Sequence, residues 1–458
     1  MNTKFGKFNP LHLGLRLCVM GFAGTLLLAV SSAAYGLDLL QSYRLALEQD
    51  ARYQVARADM QASRETVPQA LAQLLPSVSA SLTSSKNQTD SVLPGLGGQL
   101  VNNSYEYQGS SYVLNLRQPI YRKYNYAQYE QSKAQVVSAE ATLDRNLQDM
   151  LVRLCGAYFD ALLAYDQKAL AVAQKETYAT QVQGAKRALE AGQGTRTDVD
   201  DAQARYDMTL SVELEALNNV GHTRRQLETI VNQPVEQLAR LDPGQLKLSP
   251  PLPADPEEWI ARGLEANADV RVARANIESV RQEVEKARAG HFPAVDLIAS
   301  RSKSNNANDV AINQQYLTTS VGLQVSIPIF AGGYFDSQQR QALANLEKYE
   351  QQYELARREV SQQIRKEFQN VSEGVLKVRA LERSASSVDQ AVFSSQKGFQ
   401  AGTRTRIDIL NAEQQRLNVQ RDLATARYQY VLARVRLLGL VGSLDESAVA
   451  AINAWLQQ

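Results

Sequence analysis

Two short stretches gather most of the side chains that could do chemistry. "EAGQGTRTDVDDAQ", from Glu190, crowds Asp198, Asp200 and Asp201 behind Thr195, Arg196 and Thr197, and "QAGTRTRIDILNAE", from Gln400, repeats the pattern with Arg404, Thr405 and Asp408. Clustered carboxylates can hold a cation, and they can also cap a helix. In both copies a threonine stands three residues before an aspartate, which is a helix-start signal, and acids in a first helical turn are favoured by the helix dipole. Capping is therefore the leading reading of Asp198, Asp200, Asp201 and Asp408, with metal binding behind it. The remaining reactive types are scattered. Cys18 lies in an apolar N-terminal segment, Cys155 is alone on an apolar helix face, and His12, His222 and His291 stand singly with no metal or nucleophile motif around them. This sequence offers no catalytic, cofactor or metal constellation, and it does not read as an enzyme.

The elements that position the two stretches are long. Upstream of each, about residues 122 to 190 and 334 to 400 run without proline and are rich in Ala, Gln, Glu, Arg and Leu. In the second run the larger apolar residues fall at Leu343, Leu346, Tyr353, Val360, Ile364, Phe368, Val371, Val375, Val378, Val388, Val392 and Phe399, a narrow seam like that of a coiled coil. At 1.5 Å per residue each helix would be on the order of 100 Å long, more than a compact domain holds. Gly192 and Gly402 can take the left-handed backbone that stops a helix, and Thr195 and Thr405 restart one. Each stretch is thus predicted to be the tip of a helical hairpin.

Ahead of each long helix the period changes to two. "SYVLNLRQPIY" sets Tyr112, Leu114 and Leu116 against Val113, Asn115 and Arg117, while "SVGLQVSIPIF" sets Val321, Leu323 and Val325 against Gly322, Gln324 and Ser326. Partner strands, "PSVSASLTS" from Pro76 and "PAVDLIAS" from Pro293, precede them across Ser/Asn/Gly-rich loops. Helix, strand, loop, strand, long helix, tip and helix therefore occur twice. Four strands cannot close a sheet alone. Strands of this kind suit an outer-membrane barrel completed by other copies, and a soluble hairpin packed on a coiled coil is the rival reading.

Composition narrows the field. The chain has 458 residues and a formal net charge of +1. Lys4, Lys7 and Arg16, the run "LCVMGFAGTLLLAV" and the small residues "SSAAYG" form a signal-peptide pattern, so the mature chain is predicted to start near Leu37 with a net charge of −2. That balance argues against nucleic acid as a partner.

The two tips, the paired "LLPSV" and "HFPAV" before strands, the paired "QPIY" and "IPIF" after them, and the ending "ARYQYVLARVRLLGLVGSLDESAVAAINAWL" resemble the TolC family of outer-membrane channel proteins over essentially the whole mature chain. "AGHFPAVDLIAS", "VSIPIFAGG" and "LNAEQQ" are closest to the type I secretion branch. The resemblance implies a mainly α fold with a small β part: a homotrimeric α-barrel of long hairpins beneath a twelve-stranded outer-membrane β-barrel, four strands from each protomer. It divides the chain into a signal peptide (1–36), a first repeat (37–232), an equatorial linker (233–257), a second repeat (258–442) and a C-terminal equatorial segment (443–458).

It further implies an exit duct in the Gram-negative outer membrane, reaching into the periplasm. A periplasmic adaptor (membrane fusion protein) and an inner-membrane transporter, an ABC ATPase, would open it for exported protein or small-molecule cargo. Gly192, Thr195, Arg196, Gly402, Thr403 and Thr405 would form the tip turns that meet the adaptor. Arg404, Asp198, Thr197, Phe399, Asp408 and Asn411 would form the periplasmic gate, with Arg404 tied to Thr197 and Asp198 and Asp408 in an acidic ring. Phe399 stands where the family pattern has tyrosine, which removes a hydroxyl bond to Asp198, and Asn411 stands where it has a second ring acid. A drug-efflux duct is the alternative function. A periplasmic coiled-coil adaptor is a second, less favoured because both hairpins follow strand pairs.

Overall fold

The computed structural model describes residues 36–94, 97–308 and 310–457; apart from Gly36, the expected signal peptide lies outside the described residues. The first half runs α1 (Leu39–Gln49), α2 (Ala51–Arg64), α3 (Thr66–Ala72), β1 (Ser77–Pro94), β2 (Leu100–Arg122), α4 (Lys123–Glu190) and α5 (Arg196–Val231). The second runs α6 (Pro256–Ala266), α7 (Ala268–Arg288), β3 (Ala294–Asn305), β4 (Gln315–Ser326), α8 (Tyr334–Gln400), α9 (Arg406–Leu440) and α10 (Glu446–Asn453).

The long helices α4 and α8 have 68 and 67 residues, and so span about 100 Å each. α4 folds back along α5, α8 along α9, and α4 also packs on α9. The helices hold together through stripes at helical spacing. α4 buries Leu151, Leu154, Cys155, Tyr158, Phe159 and Leu162, and α8 buries Val360, Ile364, Val371, Val375, Val378 and Val392 of the expected seam. The seam frays at its ends, where Leu343 and Phe399 are exposed. The main core lies at mid-shaft, where α1, α6, α10 and the segment after α5 wrap the hairpins. A small separate cluster of Val182, Ala185, Val199 and Ala202 steadies the first tip.

The four strands form one antiparallel sheet in chain order, with β1 and β4 at its edges. Register puts Val78, Ala80 and Leu82 opposite Leu116, Leu114 and Tyr112, and Val295, Leu297 and Ala299 opposite Val325, Leu323 and Val321. With Leu116 paired to Ala299, these residues share one mainly apolar face, on which Arg301 and Lys303 stand opposite Leu114 and Tyr112. The opposite face carries Ser79, Asn115, Ser300 and Ser320. No helix among the described residues is long and apolar enough to cross a membrane.

Two strand expectations are corrected. The stretch expected as a long polar loop after Ser85 is mostly ladder, since β1 and β2 stay paired from Ser77 and Arg117 out to Pro94 and Leu100. β3 accompanies β2 only as far as Ser110, so a two-stranded ribbon projects roughly 30 Å beyond the sheet. Cross-strand pairs such as Lys86 with Glu106, 3.5 Å apart, line its outer face, and the β3–β4 connection donates Asn306 Nδ2 to Gln108 O at 2.8 Å. The two Pro-Ile-aromatic exits also differ. Pro119 to Tyr121 stays in β2 with a bulge, whereas Ile327, Ile329 and Phe330 lie beyond β4 with their side chains exposed.

Candidate functional site: the two hairpin tips

Both tips are built on the same backbone frame. At the first, Gly192 takes φ +71°, its amide donates to Leu189 O at 3.0 Å and the Gln193 amide to Ala188 O at 2.8 Å. At the second, Gly402 takes φ +74°, its amide donates to Phe399 O at 3.0 Å and the Thr403 amide to Gly398 O at 2.8 Å. This pair of bonds satisfies the last carbonyls of α4 and α8, and a glycine carries the left-handed residue without a steric penalty.

The returning helices start with matched capping boxes. Asp198 N donates to Thr195 Oγ1 at 3.1 Å, while Thr195 N and Oγ1 donate to Asp198 Oδ2 at 2.9 and 2.7 Å. Asp408 N donates to Thr405 Oγ1 at 3.2 Å, while Thr405 N and Oγ1 donate to Asp408 Oδ2 at 2.8 and 2.9 Å. The threonine amides, and next the hydroxyls, hold both carboxyls below the usual carboxylate range. Capping thus occupies one oxygen of each acid. Asp200 pairs with Arg196 at 3.2 Å on the surface, and no group of three or more His, Cys, Asp or Glu among the described residues is placed to hold a metal ion.

The other expected gate residues distribute unevenly. Thr197 is exposed and Phe399 is 39% exposed at the end of α8. Thr403 Oγ1 donates to Gly398 O at 3.1 Å. Arg404, 60% exposed, places Nη1 3.9 Å from Asp408 Oδ1 in its own hairpin rather than on Asp198. Within one chain, then, the expected Arg404 tie to Thr197 and Asp198 is not made, because α9 turns that side chain back along its own first turn. Asn411 is engaged instead with the other hairpin, accepting from Arg205 Nη2 at 3.0 Å. Deeper in, the buried Tyr178 hydroxyl donates to Gln414 Oε1 at 2.7 Å.

Reactive groups elsewhere behave as packing. Cys155 is fully buried, and burial pushes its thiol up to about 12. His291 sits beside Asp336 at 3.6 Å on the surface. One cluster had no signal in the sequence. Buried Asp296, near the start of β3, accepts from Arg117 Nη2 at 2.7 Å and from Arg122 Nε and Nη2 at 2.8 and 2.6 Å. It clamps the sheet to the head of α4 through residues far apart in the chain.

Comparison with known proteins accords with this architecture. The family model described as "Outer membrane efflux protein" matches residues 42–233 and 259–443. The alkaline protease secretion protein AprF of Pseudomonas aeruginosa is 34% identical, with 94% of this chain and 90% of that protein aligned. The proteases secretion protein PrtF of Dickeya chrysanthemi is 31% identical, with 94% of each aligned. Among solved structures, the CmeC outer membrane channel of Campylobacter jejuni superposes with a TM-score of 0.78 at 16% identity, over 92% of this chain and 90% of that one; that likeness speaks to fold. On the family match and these identities, the chain belongs to the outer membrane efflux protein family.

Proposed function

We propose that the chain is the outer-membrane exit duct of a type I protein secretion system, working as a homotrimer with a periplasmic adaptor and an inner-membrane ABC transporter. The observation that carries this is the sheet: four strands with one mainly apolar face and two free edges, set at the head of hairpins about 100 Å long. A lipid-facing sheet must close on itself, because hydrocarbon offers no partner to an unpaired edge. Copies of this chain supply the missing edges, β1 of one meeting β4 of the next, and the long helices line a shaft below. The free energy for transport comes from the docked transporter. The hairpin tips act as the gate, and the adaptor meets them at their turns.

Protein cargo is favoured over drug-sized cargo by the likeness to two protease-secretion proteins, at 34% and 31% identity. A drug-efflux duct is the second reading, favoured by the description of the family itself. Expression in a strain lacking its own duct, together with a protease-secretion adaptor and transporter, separates the two. Protease should appear in the medium while sensitivity to small drugs stays as in the parent strain. Restored drug resistance without secreted protease would reverse the assignment.

A further inference from the structure

One residue that reaches from the second hairpin of the chain to the first lies outside the family pattern of gate residues. Arg406, the first residue of α9, reaches across to the first hairpin, and its Nη1 stands 3.0 Å from the point that a Cβ on Gly184 of α4 would occupy. Its guanidinium carbon lies 5.2 Å from the centre of the Phe399 ring. Its positive charge also contributes, after the Thr195 bonds, to holding the Asp198 carboxyl low. Two surfaces from two helices therefore meet at one guanidinium: a notch with no side chain on α4 and an aromatic ring on α8.

We propose that Arg406, seated in the Gly184 notch and over the Phe399 ring, is the positioning residue that ties the hairpins of one chain and holds the gate shut. This rests on the gate reading above. A planar, weakly hydrated guanidinium suits such a seat better than an ammonium would. Phe399 is then no lost hydroxyl, since the tie uses the face of its ring. Gly184 has a function as well, because a methyl there would meet the guanidinium. Arg205 on Asn411 and Tyr178 on Gln414 continue the same seam along α9, and Arg404 stays out of it.

The test compares Arg406→Ala, Arg406→Lys and Gly184→Ala in the full-length trimer, by single-channel conductance in a bilayer and by amide hydrogen exchange over residues 182–202 and 392–412. Arg406→Ala and Gly184→Ala should each raise conductance roughly two- to fivefold, the scale of an exposed cation–π contact, and speed exchange at both tips. Arg406→Lys should restore only part. Gly184→Ala is informative because alanine favours helix, so a looser tip in that variant reports a displaced Arg406. The double variant should add little to either single one. Wild-type exchange and conductance in both Arg406→Ala and Gly184→Ala would overturn the tie. Faster exchange with unchanged conductance would support the tie and refute the tips as the gate.

Discussion

The two hairpin tips share a backbone and differ in almost everything that points away from it. Glycine, threonine and aspartate recur at matched places, Gly192, Thr195 and Asp198 against Gly402, Thr405 and Asp408, and their bonds agree within about 0.2 Å. Around that frame the small and large residues trade places. Ala188 and Gly194 in the first tip correspond to Gly398 and Arg404 in the second. A Cβ on Gly194 would stand 3.2 Å from the Ala188 Cβ, and one on Gly398 would stand 2.6 Å from Arg404 Cγ. Each tip has room for one side chain at that crossing. The turn is a scaffold, and the glycine on the outgoing helix leaves room for an arginine on the returning one.

The largest effect is expected from breaking that exchange. Gly194→Arg should loosen the first tip by about 1–3 kcal/mol through overpacking against Ala188, and Ala188→Gly should recover much of the loss. Amide exchange at the first tip reads both variants. Equal tolerance of Gly194→Arg with and without Ala188→Gly would show that the crossing does not decide where arginine is allowed.

A β-branched residue at the left-handed position comes next. Gly192→Val and Gly402→Val should each cost about 1–2 kcal/mol, and by similar amounts, since the frames match. Protease nicking at one tip but not the other would show that one turn is held by contacts the other lacks.

Asp408 and Asp198 then separate scaffold from pore. Both cap a helix, so Asp198→Ala and Asp408→Ala should loosen their own tips alike. On the gate reading, only Asp408→Ala lowers cation preference, measured as a reversal potential across a salt gradient. Asn411→Asp should strengthen block by multivalent cations chiefly when Arg205→Ala accompanies it, because Arg205 otherwise pairs with the new carboxylate. An unchanged reversal potential in Asp408→Ala would leave Asp408 a cap and nothing more.

The smallest effect is expected from pH. Both carboxyls are held below their usual range, so the stabilisation they give is present above the unfolded value of about 4. It is lost as pH falls through the lower folded value. Tip exchange, corrected for its intrinsic rate, and conductance should therefore be flat from about pH 5 to 8 and change only below about pH 4. A transition near neutrality would mean that another group controls the tips.

What was legible in the sequence was local. Helix stops and starts at Gly192, Thr195, Gly402 and Thr405 are written within a few residues, and the seam at Val360, Ile364, Val371, Val375 and Val378 is written in its spacing. The outer ribbon was not legible, because Lys86, Gln88, Asp90 and their partners alternate among polar residues and give no contrast between faces. The Asp296 clamp draws on β2, β3 and the residue before α4, and no short window holds them. Which arginine crosses between hairpins depends on how α9 lies on α4, so Arg404 and Arg406, two residues apart, could be told apart only in three dimensions.

The claim beneath all of this is that copies of the chain close one barrel in the outer membrane. The most direct measurement is the native mass, in detergent, of the protein extracted from fractionated envelopes. A heat-modifiable particle of three chains is expected in the outer-membrane fraction. A soluble periplasmic monomer would contradict that claim.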